Sequence, residues 1–169
     1  MCKLLITIIL SGYFVHTFAQ AYQSASATAT VITPINLTKV SDLDFGNISV
    51  NAVAGVVILN PDGTRNTSGG VTLPATSGNV SASQFNVMGM QGYTYSITLP
   101  PSVMINNTIG SGNETMIVDN FVSDPPVSGN LGSTGTQTLN IGATVHVSAN
   151  QAKGIYISPT PFDVSVNYN

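Results

Sequence analysis

Apolar and polar positions alternate with a period of two along most of this chain. In the last eight residues Phe162, Val164, Val166 and Tyr168 fall on one side, and Asp163, Ser165 and Asn167 on the other. Leu139, Ile141, Ala143, Val145 and Val147 alternate in the same way, with His146 on the polar side. Tyr93, Tyr95, Ile97 and Leu99 do so again. A period of two is that of a strand with one face buried. Strands are therefore predicted over 25–31, 35–40, 43–45, 71–73, 84–88, 93–99, 103–106, 115–122, 136–148, 154–157 and 162–168. One run differs. Gly55-Val56-Val57-Ile58-Leu59 is apolar on both faces, the pattern of a central strand covered on each side.

Asn60-Pro61-Asp62-Gly63 suits a type I turn, with Pro where φ is near −65° and Gly where φ can be positive. Its apolar flank makes it a hairpin with a bulged glycine. Residues 110–113 and 128–135 are expected to be flexible loops. Gly and Pro punctuate the strands roughly every 8–12 residues, the spacing of an all-β sandwich or barrel. No amphipathic helix and no internal repeat stands out, so one domain over 22–169 is expected.

The first residues have a different make-up. Lys3 supplies a positive start, residues 4–10 are apolar apart from Thr7, and Ala19-Gln20-Ala21 offers small residues for cleavage. This predicts a secretory signal peptide over 1–21, cut after Ala19 or Ala21. The apolar stretch is short for a spanning helix and is broken by Gly12 and His16, so no membrane span is expected after cleavage. The expected destination is beyond the cytoplasmic membrane: periplasmic, cell-surface or extracellular. The one cysteine, Cys2, leaves with the signal. Burial and strand pairing, not disulfides, must then hold the domain.

Charge is sparse. After the signal, Lys39, Arg65 and Lys153 face Asp42, Asp44, Asp62, Glu114, Asp119, Asp124 and Asp163. No basic patch exists, which excludes nucleic acid as an expected partner and leaves an acidic membrane surface unsupported. The surface must be mostly Ser, Thr, Asn and Gly. Such a surface lacks the charged gatekeepers that keep sheet edges apart.

Candidate chemistry is thin. His146 is the single histidine of the mature chain, so a zinc site would have to draw on carboxylates and a Ser–His–Asp triad would have to use it. No G-x-S-x-G elbow marks a serine. Asp42 and Asp44 flank Leu43 and share one face if the segment is extended; Asp119 and Asp124 stand beside a proline-containing loop. Either pair could help bind Ca²⁺ or act in glycoside hydrolysis. The first lacks the rest of an EF-hand pattern, and the chain has no tryptophan to make a sugar platform. The carboxylates are expected to be exposed acids beside turns. No catalytic, metal or cofactor residue is assigned, and no small-molecule ligand is legible.

Several motifs together resemble a bacterial family. Residues 27–50 contain Leu43-Asp44-Phe45-Gly46; N-P-D-G-T starts at Asn60 and G-Y-T-Y-S-I-T-L-P at Gly92; A-N-Q-A-K-G-I-Y runs from Ala149 to Tyr156, ahead of F-D-V-S-V-N-Y-N. The chain resembles the secreted proteins grouped as domain of unknown function 4402 over essentially its whole mature length. No catalytic residues are associated with that group. It is more distantly similar to spore coat protein U-like subunits of archaic chaperone–usher pili. Those also carry an alternating N-terminal segment, an L-x-F-G element and a G-x-Y before a closing strand.

The resemblance implies an antiparallel, immunoglobulin-like, pilin-like β-sandwich left incomplete until a neighbour's N-terminal segment is added as a strand. Phe162, Val164, Val166 and Tyr168 would form the closing strand. Ala25, Ala27, Ala29 and Val31 would be the donated strand or the domain's own first strand. Two features depart from the pilin pattern: the cysteine usual near the first strand is missing, and alanines bury little apolar area. The expected function is a non-enzymatic secreted or surface structural protein, a fimbrial or coat subunit associating with itself or with other surface subunits. The alternative is an extracellular binding module, an adhesin or glycan binder. A secreted hydrolase ranks last.

Overall fold

The structure is a computed structural model that describes residues 20–109 and 114–169. Apart from Gln20 and Ala21, the expected signal lies outside the described residues, as does the expected loop at 110–113. The chain divides into Met1–Val31 and Ile32–Asn169. In the first unit, residues 20–31 form no strand, and Ala25, Ala27, Ala29 and Val31 are exposed. The strand expected there as the domain's own first is therefore not formed. Alternation supplies a face but no partner for the backbone, and three alanines bury too little to hold an unpaired strand.

The second unit holds eleven strands and, among the described residues, no helix. They are β1 (Asn36–Ser41), β2 (Ser49–Leu59), β3 (Arg65–Thr72), β4 (Ser83–Met88), β5 (Thr94–Thr98), β6 (Ser102–Asn107), β7 (Thr115–Asp124), β8 (Ser128–Asn130), β9 (Thr136–Val147), β10 (Tyr156–Ile157) and β11 (Ser165–Tyr168). The larger sheet runs β1-β4-β9-β7-β6-β10, with β2 joined to both β9 and β3; the smaller runs β11-β5-β8. Every pairing is antiparallel.

β9 is the centre. One of its edges is shared: Thr136–Ile141 pair with β4, and Ala143–Val147 pair with β2. The other edge pairs with β7. Gly142 stands where β2 gives way to β4. A Cβ there would sit 2.1 Å from the Leu59 carbonyl oxygen, so only glycine lets the end of β2 and its turn approach so closely. That turn is the expected one: Gly63 N–H donates to Asn60 O at 2.9 Å, and Gly63 has φ of 83°.

Odd-numbered residues of β9 build the interior. Leu139 and Ile141 pack with Val87, Tyr95, Leu131 and Val166 between the two sheets. Ala143, Val145 and Val147 pack with Phe45, Val57, Leu59, Val71 and Val118, and this second cluster is closed by Leu43 and Ile48 from the segment before β2. Phe121 packs against both. The Arg65 guanidinium donates to the carbonyls of Phe45 and Asn47, which fixes that segment over the cluster. The fold is thus an all-β, antiparallel sandwich of the immunoglobulin-like kind.

Some boundaries differ from the pattern-based expectation. Leu43–Phe45 contributes only an isolated bridge, Asp44 to Ser81. The strand expected at 71–73 is the end of β3. Within 128–135, expected as loop, Ser128–Asn130 form β8 because Tyr95 and its neighbours offer a pairing edge. The closing strand is confined to Ser165–Tyr168, with Phe162 and Val164 ahead of it.

Candidate functional site

The ends of the sheets differ in how they are protected. β1 has a register shift between Lys39 and Ser41, and Lys39, on the side of Leu37, pairs with Asp42 at 2.6 Å. β3 is bent by a register shift opposite β2, with Gly69 at φ 72°. β10 has two residues. β8 has three and follows Val127, whose φ of 61° turns the chain away. Bulges, edge lysines and very short strands are the means by which proteins blunt an edge.

β11, four residues long, has neither a bulge nor a charged side chain. Its residues Ser165, Val166, Asn167 and Tyr168 are uncharged and pair in continuous register with Thr98–Tyr95 of β5. Asn169 N–H donates to Thr94 O at 3.2 Å. Backbone groups alternate in direction along a strand, so Asn167 and Ser165 also face β5. Val166 and Tyr168 then turn their N–H and C=O groups to the outer edge. Their side chains, with that of Val164, join the cluster between the sheets. An uncharged edge that pairs with no strand, and that β1 approaches, therefore runs beside an apolar interior.

The closing residues are anchored at both ends. Phe162 packs on Phe121, with ring centroids 5.2 Å apart. The Tyr168 hydroxyl accepts from Met90 N–H at 2.6 Å and donates to Thr33 O at 2.8 Å, and its ring meets Tyr93 edge-on at 5.5 Å. Of the eight residues singled out by sequence, these four come together; Ala25, Ala27, Ala29 and Val31 belong to the other unit.

The carboxylates do not converge. Asp42 pairs with Lys39, whereas Asp44 accepts the Gly46 N–H at 2.8 Å and so shapes a turn. Asp119 and Asp124 both lie within β7, on either side of a register shift. Asp119 instead meets His146 on β9, at 2.8 Å. That proximity depends on β7–β9 register, which no local pattern reveals. Among the described residues no serine hydrogen-bonds to His146, and no three His, Cys, Asp or Glu side chains gather as metal ligands. The Asp62 carboxyl is held below its usual range by the Thr64 hydroxyl and then by the Thr64 N–H, an Asx turn inside the hairpin.

One polar cluster escaped the sequence. The Tyr156 hydroxyl donates to Ala152 O at 2.8 Å, and Glu114 accepts the Ala152 N–H at 2.8 Å. The Gln151 side chain donates to the Tyr156 oxygen at 3.0 Å. Glu114 thereby fastens the Ala149–Tyr156 motif from 38 residues away in sequence. Beside it, Glu114, Thr115, Ser148, Asn150 and Gln151 line a polar depression of about 230 Å³.

A family described as Domain of unknown function (DUF4402) matches residues 35–168. The chain belongs to that family. The match begins just before β1 and ends on Tyr168, so the DUF4402 domain takes in both sheets and the open β11 edge. No curated protein and no solved structure matches the chain.

Proposed function

We propose that this DUF4402 domain is a structural subunit of an exported or surface assembly, and that it joins its neighbours by strand addition at β11. One observation carries the reading: the outer edge of β11 pairs with no strand and lies beside an apolar interior. An added strand would pair with the backbone groups of Val166 and Tyr168 and place alternate side chains against the cluster. Ala25–Val31 has the required alternation, forms no strand of its own and carries no charge. It is the segment we assign as donor, delivered by a second copy after removal of a signal at 1–21. The sparse charge of the chain leaves little repulsion between copies.

The test is a synthetic peptide spanning Ser24–Ile32, added to the full mature chain. Backbone amide signals of Val164–Tyr168 are expected to shift, and the chain alone is expected to form an open-ended ladder of oligomers. A monomer whose amides ignore the peptide, and which is unchanged by deleting Ala21–Thr30, would sink the proposal.

The second reading is an extracellular binding module. Its support is the polar depression beside Glu114, Ser148 and Asn150, whose carboxylate, hydroxyl and amide suit a hydroxyl-rich ligand such as a glycan. A glycan array without hits, with and without calcium, would remove it.

A further inference from the structure

The Asn106 Oδ1 atom is buried, and among the described residues nothing donates a hydrogen bond to it. An acceptor sealed from solvent is costly to leave unpaired, and native proteins satisfy such atoms with a bound water or ion. Asn106 of β6 lies directly opposite Thr115 of β7, and cross-strand partners share a face. Thr115 in turn lines the polar depression of about 230 Å³ with Glu114, Ser148, Asn150 and Gln151. The unpaired acceptor and the depression are therefore neighbours at one end of the larger sheet.

The walls of the depression are braced. Glu114 accepts the Ala152 N–H at 2.8 Å through Oε2, which fixes the carboxylate and leaves Oε1 for a ligand. Asn150 N–H donates to Asn51 O at 2.9 Å, tying the rim to the irregular part of β2. The bonds that Thr115, Ser148 and Asn150 make among the described residues run through their backbone groups, so their side chains remain available. What these residues offer is oxygen: a carboxylate, hydroxyls and amides, with neither histidine nor cysteine. Such a set is wrong for zinc or copper and matches calcium, which takes hard oxygen ligands in irregular geometry and completes its shell with water. Magnesium demands a regular octahedron and is the poorer match.

We propose that a calcium ion binds in this depression, on Glu114 Oε1, the Asn106 amide oxygen and the side-chain oxygens of Thr115, Ser148 and Asn150. One carboxylate among neutral oxygens places the affinity with the weak extracellular sites, at a Kd of about 0.1–1 mM. The same composition is why no gathering of acidic side chains marks the site among the described residues. The ion joins β6 and β7 to the Ala149–Tyr156 motif, so it braces one end of the domain. It rests on the depression that supports the second reading above, but not on a glycan, and it is independent of strand addition at β11.

The test is a calcium chloride titration of the full mature chain at constant ionic strength, followed by NMR. Backbone amides of Thr115 and Ser148–Gln151, and the Asn106 side-chain amide, are expected to shift and to saturate by about 10 mM, with magnesium chloride about fivefold weaker or more. Asn106→Asp keeps the oxygen and adds a charge, so it should tighten calcium about tenfold. Its unpaired charge should lower the urea midpoint without calcium, and calcium should restore it. Ser148→Ala, at an exposed position, should weaken calcium about threefold or more and keeps the test open if the first variant does not fold. Asp163→Asn, which removes an exposed carboxylate elsewhere, should change nothing. Shifts that never saturate, that magnesium reproduces at equal strength, or that ignore Ser148→Ala overturn the proposal. A glycan array hit without any calcium shift overturns the ion and leaves the second reading standing.

Discussion

His146 Nε2 lies 2.8 Å from Asp119 Oδ1, linking β9 to β7 across the outer face of the larger sheet. The side chains are 47 % and 31 % exposed, so water screens the pair. An exposed pair of this kind is worth about 0–1 kcal/mol. His146→Ala is therefore expected to lower unfolding stability by no more than about 1 kcal/mol. A urea midpoint that fell by several times that amount would show that the pair is buried in solution.

Gly142 and Gly63 should respond differently to alanine. At Gly142 the new methyl meets the Leu59 carbonyl and the Asn60–Pro61 peptide, so β2 and its turn must shift. A cost of about 1–3 kcal/mol is expected, as for overpacking. At Gly63 nothing lies within 4 Å, and the penalty is only that of a positive φ, about 1 kcal/mol. Equal midpoints for the two variants in urea titration would contradict the close approach at Gly142.

Tyr168→Phe keeps the ring against Tyr93 but removes the acceptor for Met90 N–H and the donor to Thr33 O. Two hydrogen bonds of this kind contribute about 1–3 kcal/mol together. The Met90 amide is expected to exchange with solvent much faster in the variant. Exchange at the original rate would show that the hydroxyl does not hold this corner.

Burial raises the Tyr95 hydroxyl above the ordinary tyrosine value of 10.0. Its O–H donates to the Gln137 amide oxygen at 2.9 Å, and the ring is fully buried. A folded value above the unfolded one means that the neutral phenol stabilises the fold. That contribution is complete below about pH 10 and is lost as pH rises through the folded value. Stability should therefore decline above pH 10, and Tyr95→Phe should flatten the decline. Urea midpoints between pH 8 and 11 measure it; parallel curves for the two proteins would disprove the assignment.

The strands that alternate strongly were legible before the structure. Leu139–Val147 and Tyr95–Leu99 carry enough apolar side chains on one side to declare a buried face. Ser128-Gly129-Asn130 carries no pattern, and it becomes β8 only because β5 offers it an edge. Ala25–Val31 shows the converse, a clear period without a partner. The pairing of Asp119 with His146, and the reach of Glu114 to Ala152, depend on register between segments 27 and 38 residues apart. Side-chain periodicity says which face a residue takes, not what lies opposite. Gly55–Leu59 reads in sequence as a strand covered on both faces; in the fold Val57 and Leu59 are buried and Ile58, on the other side, is 38 % exposed.

The position of β9 in the chain governs when this protein can fold. Its three pairing partners, β2, β4 and β7, all precede it. The β2–β3 hairpin and the β6–β7 hairpin can form as they are synthesised, but the sheet has no centre until residues 136–147 have been made. Such long-range pairing is slow. A nascent chain of this topology therefore leaves β2, β4 and β7 without their shared partner until β9 has been made.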